Sequence, residues 1–199
     1  SNFIDGLNGI LLGYYLIILG IIFNLSIFWE ININYHEIIF LITLMVFLLI
    51  FNFSNKLYMG DGGAYTLGFT VSYFLITYYQ NNQNISPFFI ILLLWYPCFE
   101  NLFSIIRKFR FHKSPLKPDV KHFHQLLFFF IAKKFKCKNF YANNISSLII
   151  LFYNLLVFTI ASQKIHDSKF QIILVLANIV VYILVYFRLF NFKYSLKSI

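Results

Sequence analysis

The stretch LNGILLGYYLIILGIIFNLSIF, residues 7–28, runs for 22 positions without one charged side chain. About 20 mostly apolar residues in a helix are enough to cross the hydrocarbon core of a bilayer. A helix on the surface of a soluble protein needs a polar face, and this stretch has none. The stretch therefore predicts a membrane-spanning helix.

Five further stretches have the same character, and the composition of the whole chain agrees with them. The 199 residues are 60% hydrophobic and only 12% charged, with a mean hydropathy of +0.74. An ordinary soluble domain is about 45–50% apolar and about 25% charged. We predict an all-α integral membrane protein, a single membrane domain over residues 1–199 with about six transmembrane helices. The predicted spans are 7–28, 37–53, 64–80, 87–106, 143–163 and 169–190.

The net charge of +9 would suggest a nucleic-acid partner in a soluble protein, but the positive charges are unevenly placed. If residue 1 starts in the cytoplasm, all of the 16 Lys and Arg except Lys164 and Lys169 fall in cytoplasmic segments. The positive-inside rule then puts both ends and the long loop 107–142 in the cytoplasm. Topology and anionic lipid explain the basic charge, so we expect no nucleic-acid partner. The amphipathic part of the loop, around 123–135, is expected to lie on the membrane surface.

Four of the seven carboxylates fall on the predicted cytoplasmic side, at the ends of spans or in the loop: Asp5, Asp61, Glu100 and Asp119. Ionisable groups at membrane depth are expensive and are functional candidates. Carboxylates hold Mg²⁺, and Lys or His side chains neutralise phosphate oxygens. The pattern favours a metal-dependent reaction of phosphate groups, although many transporters share it.

The segment KLYMGDGGAY, residues 56–65, lies between two predicted spans. Gly60, Gly62 and Gly63 let backbone amides approach an anion closely, and the next helix would direct its N-terminus at that anion. Asp61 could hold a metal ion on the same phosphate. An ordinary glycine-rich turn with Asp61 as a helix N-cap explains the segment equally well.

Two more polar segments flank the spans. Asn2, Asp5 and Asn8 are three residues apart, which places them on one face of a helix, although a polar helix end with glycine caps explains them too. In the loop, SPLKPD (114–119) precedes HFHQ (122–125). His122 and His124 would point the same way in an extended segment, which suits contact with a phosphate; solvent-facing histidines are the alternative.

Together, in this order, the three segments resemble those of the polyprenyl-phosphate N-acetylhexosamine-1-phosphate transferase family (the MraY/WecA type), in its WecA-like branch. The resemblance implies that Asp61, His122 and His124 are catalytic and that Asp61 holds Mg²⁺, or Mn²⁺ in its place. It also implies a nucleotide-sugar pocket in which Tyr58 packs against the base. The implied pocket residues are Asn2, Asp5, Asn8, Asn52, Tyr58, Gly60, Gly62 and Gly63.

This chain departs from the family pattern at several positions. Gln125 stands where the family has a third loop histidine, and Glu100 follows Pro97 where relatives often show Pro-x-x-Asp. The resemblance covers about the last half of the family's usual fold and lacks its Asp-Asp pair. We therefore expect a C-terminal portion of a larger transferase that is inactive when expressed alone.

The resemblance implies transfer of a sugar 1-phosphate, by default N-acetylhexosamine 1-phosphate, from a UDP-sugar to undecaprenyl phosphate with release of UMP. The expected location is the bacterial cytoplasmic membrane, with the site on its cytoplasmic face, and the product would start a cell-envelope polysaccharide such as the O-antigen of lipopolysaccharide. A homodimer is compatible with the resemblance. Two other readings stay open: a membrane protein that binds nucleotide sugars without turnover, and a transporter.

Overall fold

The structure, a computed structural model, describes residues 4–28, 35–110 and 121–195. In these ranges all regular structure is helical, as predicted for an all-α membrane protein. The helices are α1 (Ile10–Phe28), α2 (Tyr35–Phe53), α3 (Gly60–Asn81), α4 (Pro87–Leu93), α5 (Trp95–Arg110), α6 (Phe123–Lys134), α7 (Asn139–Ser162) and α8 (Ser168–Ser195).

The first helix, α1, is the most buried of the long apolar helices, and it packs against both α2 and α7. Tyr14, Ile18 and Ile22 along it are fully buried. Gly13 allows the close approach of α7, since a β-carbon at this position would lie 2.5 Å from a methyl group of Leu151. By contrast, α2, α7 and α8 leave many large apolar side chains exposed on their outer faces. Apolar surface of this extent is expected where lipid covers it.

Among the described residues, four helices are long and apolar enough to cross a membrane: α1, α2, α7 and α8. The consecutive helices α4 and α5 make a fifth if they are counted as one bent span. The predicted span 64–80 lies in α3, whose 22 residues would reach about 33 Å. Its Thr, Ser, Gln and Asn residues lower its hydropathy below that of the other candidates. Four or five of the six predicted spans thus have the length and hydropathy of a membrane-crossing helix among the described residues, and the count of about six stays a prediction.

The predicted span 87–106 is not one straight helix, because α4 and α5 meet at a bend of 70°. Pro97 lies in the first turn of α5 and has no N–H, so it cannot bond the carbonyl of Leu93 four residues earlier. The hydroxyl of Tyr14 on α1 donates to that carbonyl instead (2.9 Å). The bend thus has a local cause, and its open carbonyl is paired by α1.

The predicted loop 107–142 is shorter than expected on both sides, since α5 continues to Arg110 and α7 begins at Asn139. Its amphipathic part forms α6, which packs against α7 and α8 rather than lying by itself on the membrane surface. Leu126, Leu127 and Ile131 are the buried apolar side chains of α6.

Candidate active site

Residues 4–9, which precede α1, are folded as tight turns. The Gly6 N–H donates to the carbonyl of Ile4 (2.9 Å), and Gly9 has a left-handed φ of 75°. Glycine adopts that conformation without a steric penalty. The expected helical face for Asp5 and Asn8 is therefore wrong. Asn2 lies outside the described residues, and its role stays a prediction.

Asn52, near the end of α2, joins this turn segment to the loop that leads into α3. Its Oδ1 accepts a hydrogen bond from the Gly9 N–H, and its Nδ2 donates to the carbonyl of Leu57 (2.7 Å). Asn52 is buried, so neither bond is replaced by bulk water. The side chain therefore fixes the position of two of the predicted segments relative to each other.

Asn8 is held by a group of polar side chains that the sequence reasoning missed. Its N–H donates to Oδ1 of Asn143 (2.8 Å), and its side-chain amide donates to Asn55 and, at 3.5 Å, to Asn144. The hydroxyl of Ser147 donates to the Asn8 carbonyl (2.6 Å). The sequence feature that could have indicated this group is the Asn143-Asn144 pair near the start of α7, a mostly apolar helix.

A cavity of about 320 Å³ opens between the turn segment, the end of α2, the start of α3 and the start of α7. It unites Asp5, Asn8, Asn52, Tyr58, Gly60 and Asp61 from the predicted site and adds Asn143. Gly62 and Gly63 do not line it, although both belong to the first turn of α3. The structure therefore brings together residues from three separate stretches of sequence.

The glycine-rich segment forms the beginning of α3, as expected for a helix N-terminus that faces an anion. The helix starts at Gly60, where φ is +62°, and a β-carbon at Gly62 would meet nothing within 4 Å. Met59 occupies the N-cap position and Asp61 lies inside the first turn, so the alternative of Asp61 as the N-cap is wrong. The first backbone N–H groups of a helix have no partner within it, so a ligand can bind them.

Tyr58 lies at the rim of the cavity with 75% of its surface exposed. An exposed aromatic ring beside a polar cavity offers a flat apolar face to a planar ligand.

Two carboxylates, Asp5 and Asp61, share the cavity. Partial burial raises the pKa of Asp5, and the negative charge of Asp61 raises it further. Two like charges in one cavity, with amide oxygens beside them, suit a hard divalent cation such as Mg²⁺, which prefers oxygen ligands and keeps several waters. Among the described residues no group of three or more His, Cys, Asp or Glu side chains could enclose a metal ion. A cation here would need oxygens from water or a substrate to complete its coordination.

His122 and His124 lie next to this cavity but do not line it. Both are buried, so the alternative of solvent-facing histidines is wrong. Their rings are parallel, with centroids 5.6 Å apart, although the segment is the start of α6 and not an extended strand. A β-carbon on Gly6 would overlap Nε2 of His124. His124 therefore lies against the cavity wall at Gly6, with the ring of His122 stacked on it.

The two histidines have different environments. His122 Nδ1 lies 2.9 Å from Oε1 of Glu100, a fully buried carboxylate of α5. Nδ1 of His124 is buried and has no hydrogen-bond partner among the described residues. Burial lowers the pKa of His124 to about 4, although the negative charge of Glu100 opposes this effect. His124 is therefore neutral at physiological pH.

Gln125, which stands in place of the family's third loop histidine, has a structural contact. Its Oε1 accepts a hydrogen bond from the His122 N–H at 3.4 Å, as a side chain three residues after an N-cap does in a capping box.

Comparison with known proteins agrees with the resemblance over part of the chain. Residues 1–79 match the family model for glycosyl transferase family 4. The undecaprenyl-phosphate alpha-N-acetylglucosaminyl 1-phosphate transferase of Thermotoga maritima is 27% identical over 126 residues, which are 63% of this chain and 37% of the relative. The enzyme of the same name from Escherichia coli K12 is 33% identical over 73 residues, which are 36% of this chain and 20% of the relative. No solved structure matches the chain significantly.

The matched part of each relative is well under half of its length. The family match ends within α3, so it includes Asp5, Asn8, Asn52 and Asp61 but not the two histidines. Asp5, Asn8, Asn52 and Asp61 thus lie both at the cavity and inside the family match, whereas Asn143 and the two histidines lie outside that match, and the roles of all these residues stay predictions.

Proposed function

We propose that this chain, whose residues 1–79 match the model for glycosyl transferase family 4, takes part in transferring a sugar 1-phosphate from a UDP-sugar to undecaprenyl phosphate. One observation carries the proposal: Asp5 and Asp61, from separate segments, share a polar cavity at the end of an apolar helix bundle. A lipid acceptor with a charged head requires a site of this kind, since its tail stays in the membrane.

The proposed sugar is N-acetylhexosamine, after the names of the relatives, and the proposed product begins a cell-envelope polysaccharide. We assign the site to the cytoplasmic face of the bacterial inner membrane. The segment after α5 and the end of α8 carry most of the Lys and Arg residues, and cytoplasmic segments are typically rich in these residues.

In this proposal, different residues of the cavity bind different parts of the nucleotide sugar. The exposed ring of Tyr58 stacks on the uracil base, and the amides of Asn8 and Asn143 bind polar groups of the nucleotide. The open N–H groups in the first turn of α3 face the diphosphate. Asp61, with Asp5 beside it, would hold Mg²⁺, which when bound offsets the charge that builds up on the leaving phosphate.

The reaction then needs no covalent help from the protein. An oxygen of the lipid phosphate attacks the sugar-bearing phosphorus, the bond from that phosphorus to the UMP oxygen breaks, and UMP leaves. The histidine pair lies on the Gly6 side of the cavity, where the ring of His124 packs against the cavity wall close to the proposed position of the phosphates. Positioning and charge stabilisation supply most of the catalysis in phosphoryl transfer of this type.

The test is transfer of radiolabel from UDP-N-acetylglucosamine, and in parallel from other UDP-N-acetylhexosamines, to undecaprenyl phosphate. Membranes are prepared from cells that lack their own transferase and express the complete gene product containing this chain. We expect a Mg²⁺-dependent lipid product that Asp61→Asn reduces by about 100-fold or more.

Asp167→Asn is the matched control, because it makes the same change in an exposed carboxylate between α7 and α8, at the other end of α7 from Asn143. Its activity should equal that of the wild type. Absence of lipid product with every UDP-sugar, while UDP-sugar binding persists, would show a binding protein without turnover and overturn the proposal.

A further inference from the structure

Glu100 is a buried charged group for which the proposed reaction gives no role. It lies in α5 with none of its surface exposed, in a part of the bundle lined by aromatic rings. An ionised carboxylate in such surroundings is costly unless hydrogen bonds compensate it. Its contacts therefore indicate its role.

Three hydrogen-bonding groups surround this carboxylate. Oε1 lies 2.9 Å from Nδ1 of His122 and accepts from the Phe123 N–H (3.2 Å), and Oε2 accepts from the hydroxyl of Tyr182 on α8 (2.6 Å). The backbone N–H can only donate, so it requires Oε1 to be an acceptor. An ionised carboxylate can accept from all three groups at once, which places the proton between Glu100 and His122 on the ring.

Tyr182 holds the carboxylate in this orientation. Its ring packs against Phe99 and stacks on Phe123, with centroids 5.0 and 4.9 Å apart. These contacts leave the hydroxyl little freedom except to donate to Glu100. The start of α6 is thus joined to α5 and α8 through one carboxylate.

We propose that Glu100 is a positioning residue: it fixes the proton of the neutral His122 ring on Nδ1, so that Nε2 is the acceptor nitrogen of that ring, and Tyr182 holds Glu100 in place. The inference rests on the proposed function. A neutral histidine ring has one donor nitrogen and one acceptor nitrogen, and the partner of one decides the role of the other. His124 has no such carboxylate bond, so of the two stacked rings only His122 has a fixed tautomer and a counter-ion.

The key experiment is a double-mutant cycle in the complete gene product, with kcat and KM measured for wild type, Glu100→Met, His122→Gln and the double variant. Glu100→Met keeps approximate size but removes the acceptor. We expect it to lower kcat by about 10–100-fold, as loss of an orienting partner does elsewhere, with little change in KM for the UDP-sugar. In the His122→Gln background it should have almost no further effect, because Glu100 acts through His122.

Glu100→Gln is the conservative variant. Its amide oxygen can still accept from His122 and Phe123, so it should restore most of kcat. The kcat of Tyr182→Phe should lie between the kcat of Glu100→Gln and that of Glu100→Met. Glu37→Gln, an equivalent change in an exposed residue of α2, serves as the control and should match the wild type.

A second readout needs no turnover. In ¹⁵N-histidine-labelled protein, with the His122 signal identified by its loss in His122→Gln, the neutral ring should carry its proton on Nδ1 in wild type and in Glu100→Gln. Glu100→Met should restore the Nε2-protonated form that free histidine favours.

The possible results separate the two proposals. If the wild type transfers no sugar phosphate, the proposed function fails, and the nitrogen spectra still decide whether Glu100 sets the tautomer. If the wild type is active but Glu100→Met lowers kcat by the same factor in the His122→Gln background as it does alone, Glu100 has a general structural role and the inference is overturned. Loss of activity in Glu100→Gln equal to that in Glu100→Met would overturn it as well.

Discussion

Replacement of Asn52 by alanine tests whether the cavity is assembled by the contacts that the structure shows. The substitution removes the acceptor of the Gly9 N–H and the donor to the Leu57 carbonyl, and the site is only 6% exposed. A buried polar group that loses its partner costs about 1–3 kcal/mol. Two such groups give about 2–4 kcal/mol, because partial access of water reduces the sum.

This loss should fall on the arrangement that we propose to bind the nucleotide sugar, since Asn52 joins two of the segments that form the cavity. If all of it opposes that arrangement, affinity falls by about 30-fold to several hundred-fold, at 1.4 kcal/mol for each factor of ten. The assay is equilibrium binding of labelled UDP-N-acetylglucosamine to detergent-solubilised protein, together with the unfolding midpoint with and without ligand. Asn24→Ala, at an exposed asparagine of α1, is the control. An Asn52→Ala protein that binds and unfolds like the control would refute the reasoning.

Three further changes have expected outcomes. Gly6→Ala should abolish transfer while the protein still accumulates in membranes, because a β-carbon would displace the His124 ring; the measurement is lipid product per amount of protein. Asp61→Asn should raise the unfolding temperature at neutral pH in the absence of divalent cations, because it removes a negative charge that opposes ionisation of Asp5 in the folded protein. Burial and this charge raise the pKa of Asp5, so its ionised form destabilises the fold, and the difference in unfolding temperature between variant and wild type should shrink as the pH falls through the raised pKa towards 3.8. Gln125→Ala should lower stability by about 0.5–1 kcal/mol through the loss of a long capping bond, measured by thermal unfolding.

Two of these predictions have controls within the chain. Gly20→Ala adds the same methyl group to α1 where no atom lies within 4 Å, and it should leave transfer unchanged. Mg²⁺ should stabilise the wild type more than Asp61→Asn, because the variant loses one of the two carboxylates. Equal stabilisation of the two proteins would show that the cation binds elsewhere.

The helices and much of the cavity could be predicted because their signals are local. Stretches without charge give spans by hydropathy alone, and the glycines around Asp61 indicate the start of α3. The convergence of Asp5 and Asp61 also followed from topology, since both were expected at the same membrane face. The helical face expected for Asp5 and Asn8 was wrong, because a three-residue spacing does not by itself distinguish a helix from turns that glycines favour.

The contacts that the sequence did not reveal are those between distant residues. Glu100 and His122 are 22 residues apart, and Asn8 and Asn143 are 135 apart, so no local pattern joins them. The burial of the histidines depends on how α6 packs against α7 and α8. A basic, polar loop gave no indication of that packing. The residues 114–119 lie outside the described ranges, and Asp119 stays a candidate from the sequence alone.

The bend between α4 and α5 connects the packing of the bundle to the proposed chemistry. Without it, α4 would continue in a straight line and Glu100 would point along a different direction from the start of α6. Pro97 makes the bend, and Tyr14 of α1 pairs the carbonyl that Pro97 leaves open. The same helix α1 follows the turn that carries Asp5 and Gly6. Helix α1 therefore helps to set the position of the carboxylate cavity and, through the bend, that of Glu100. The spacing between the carboxylate part and the histidine part of the site is fixed by these buried contacts rather than by the loop.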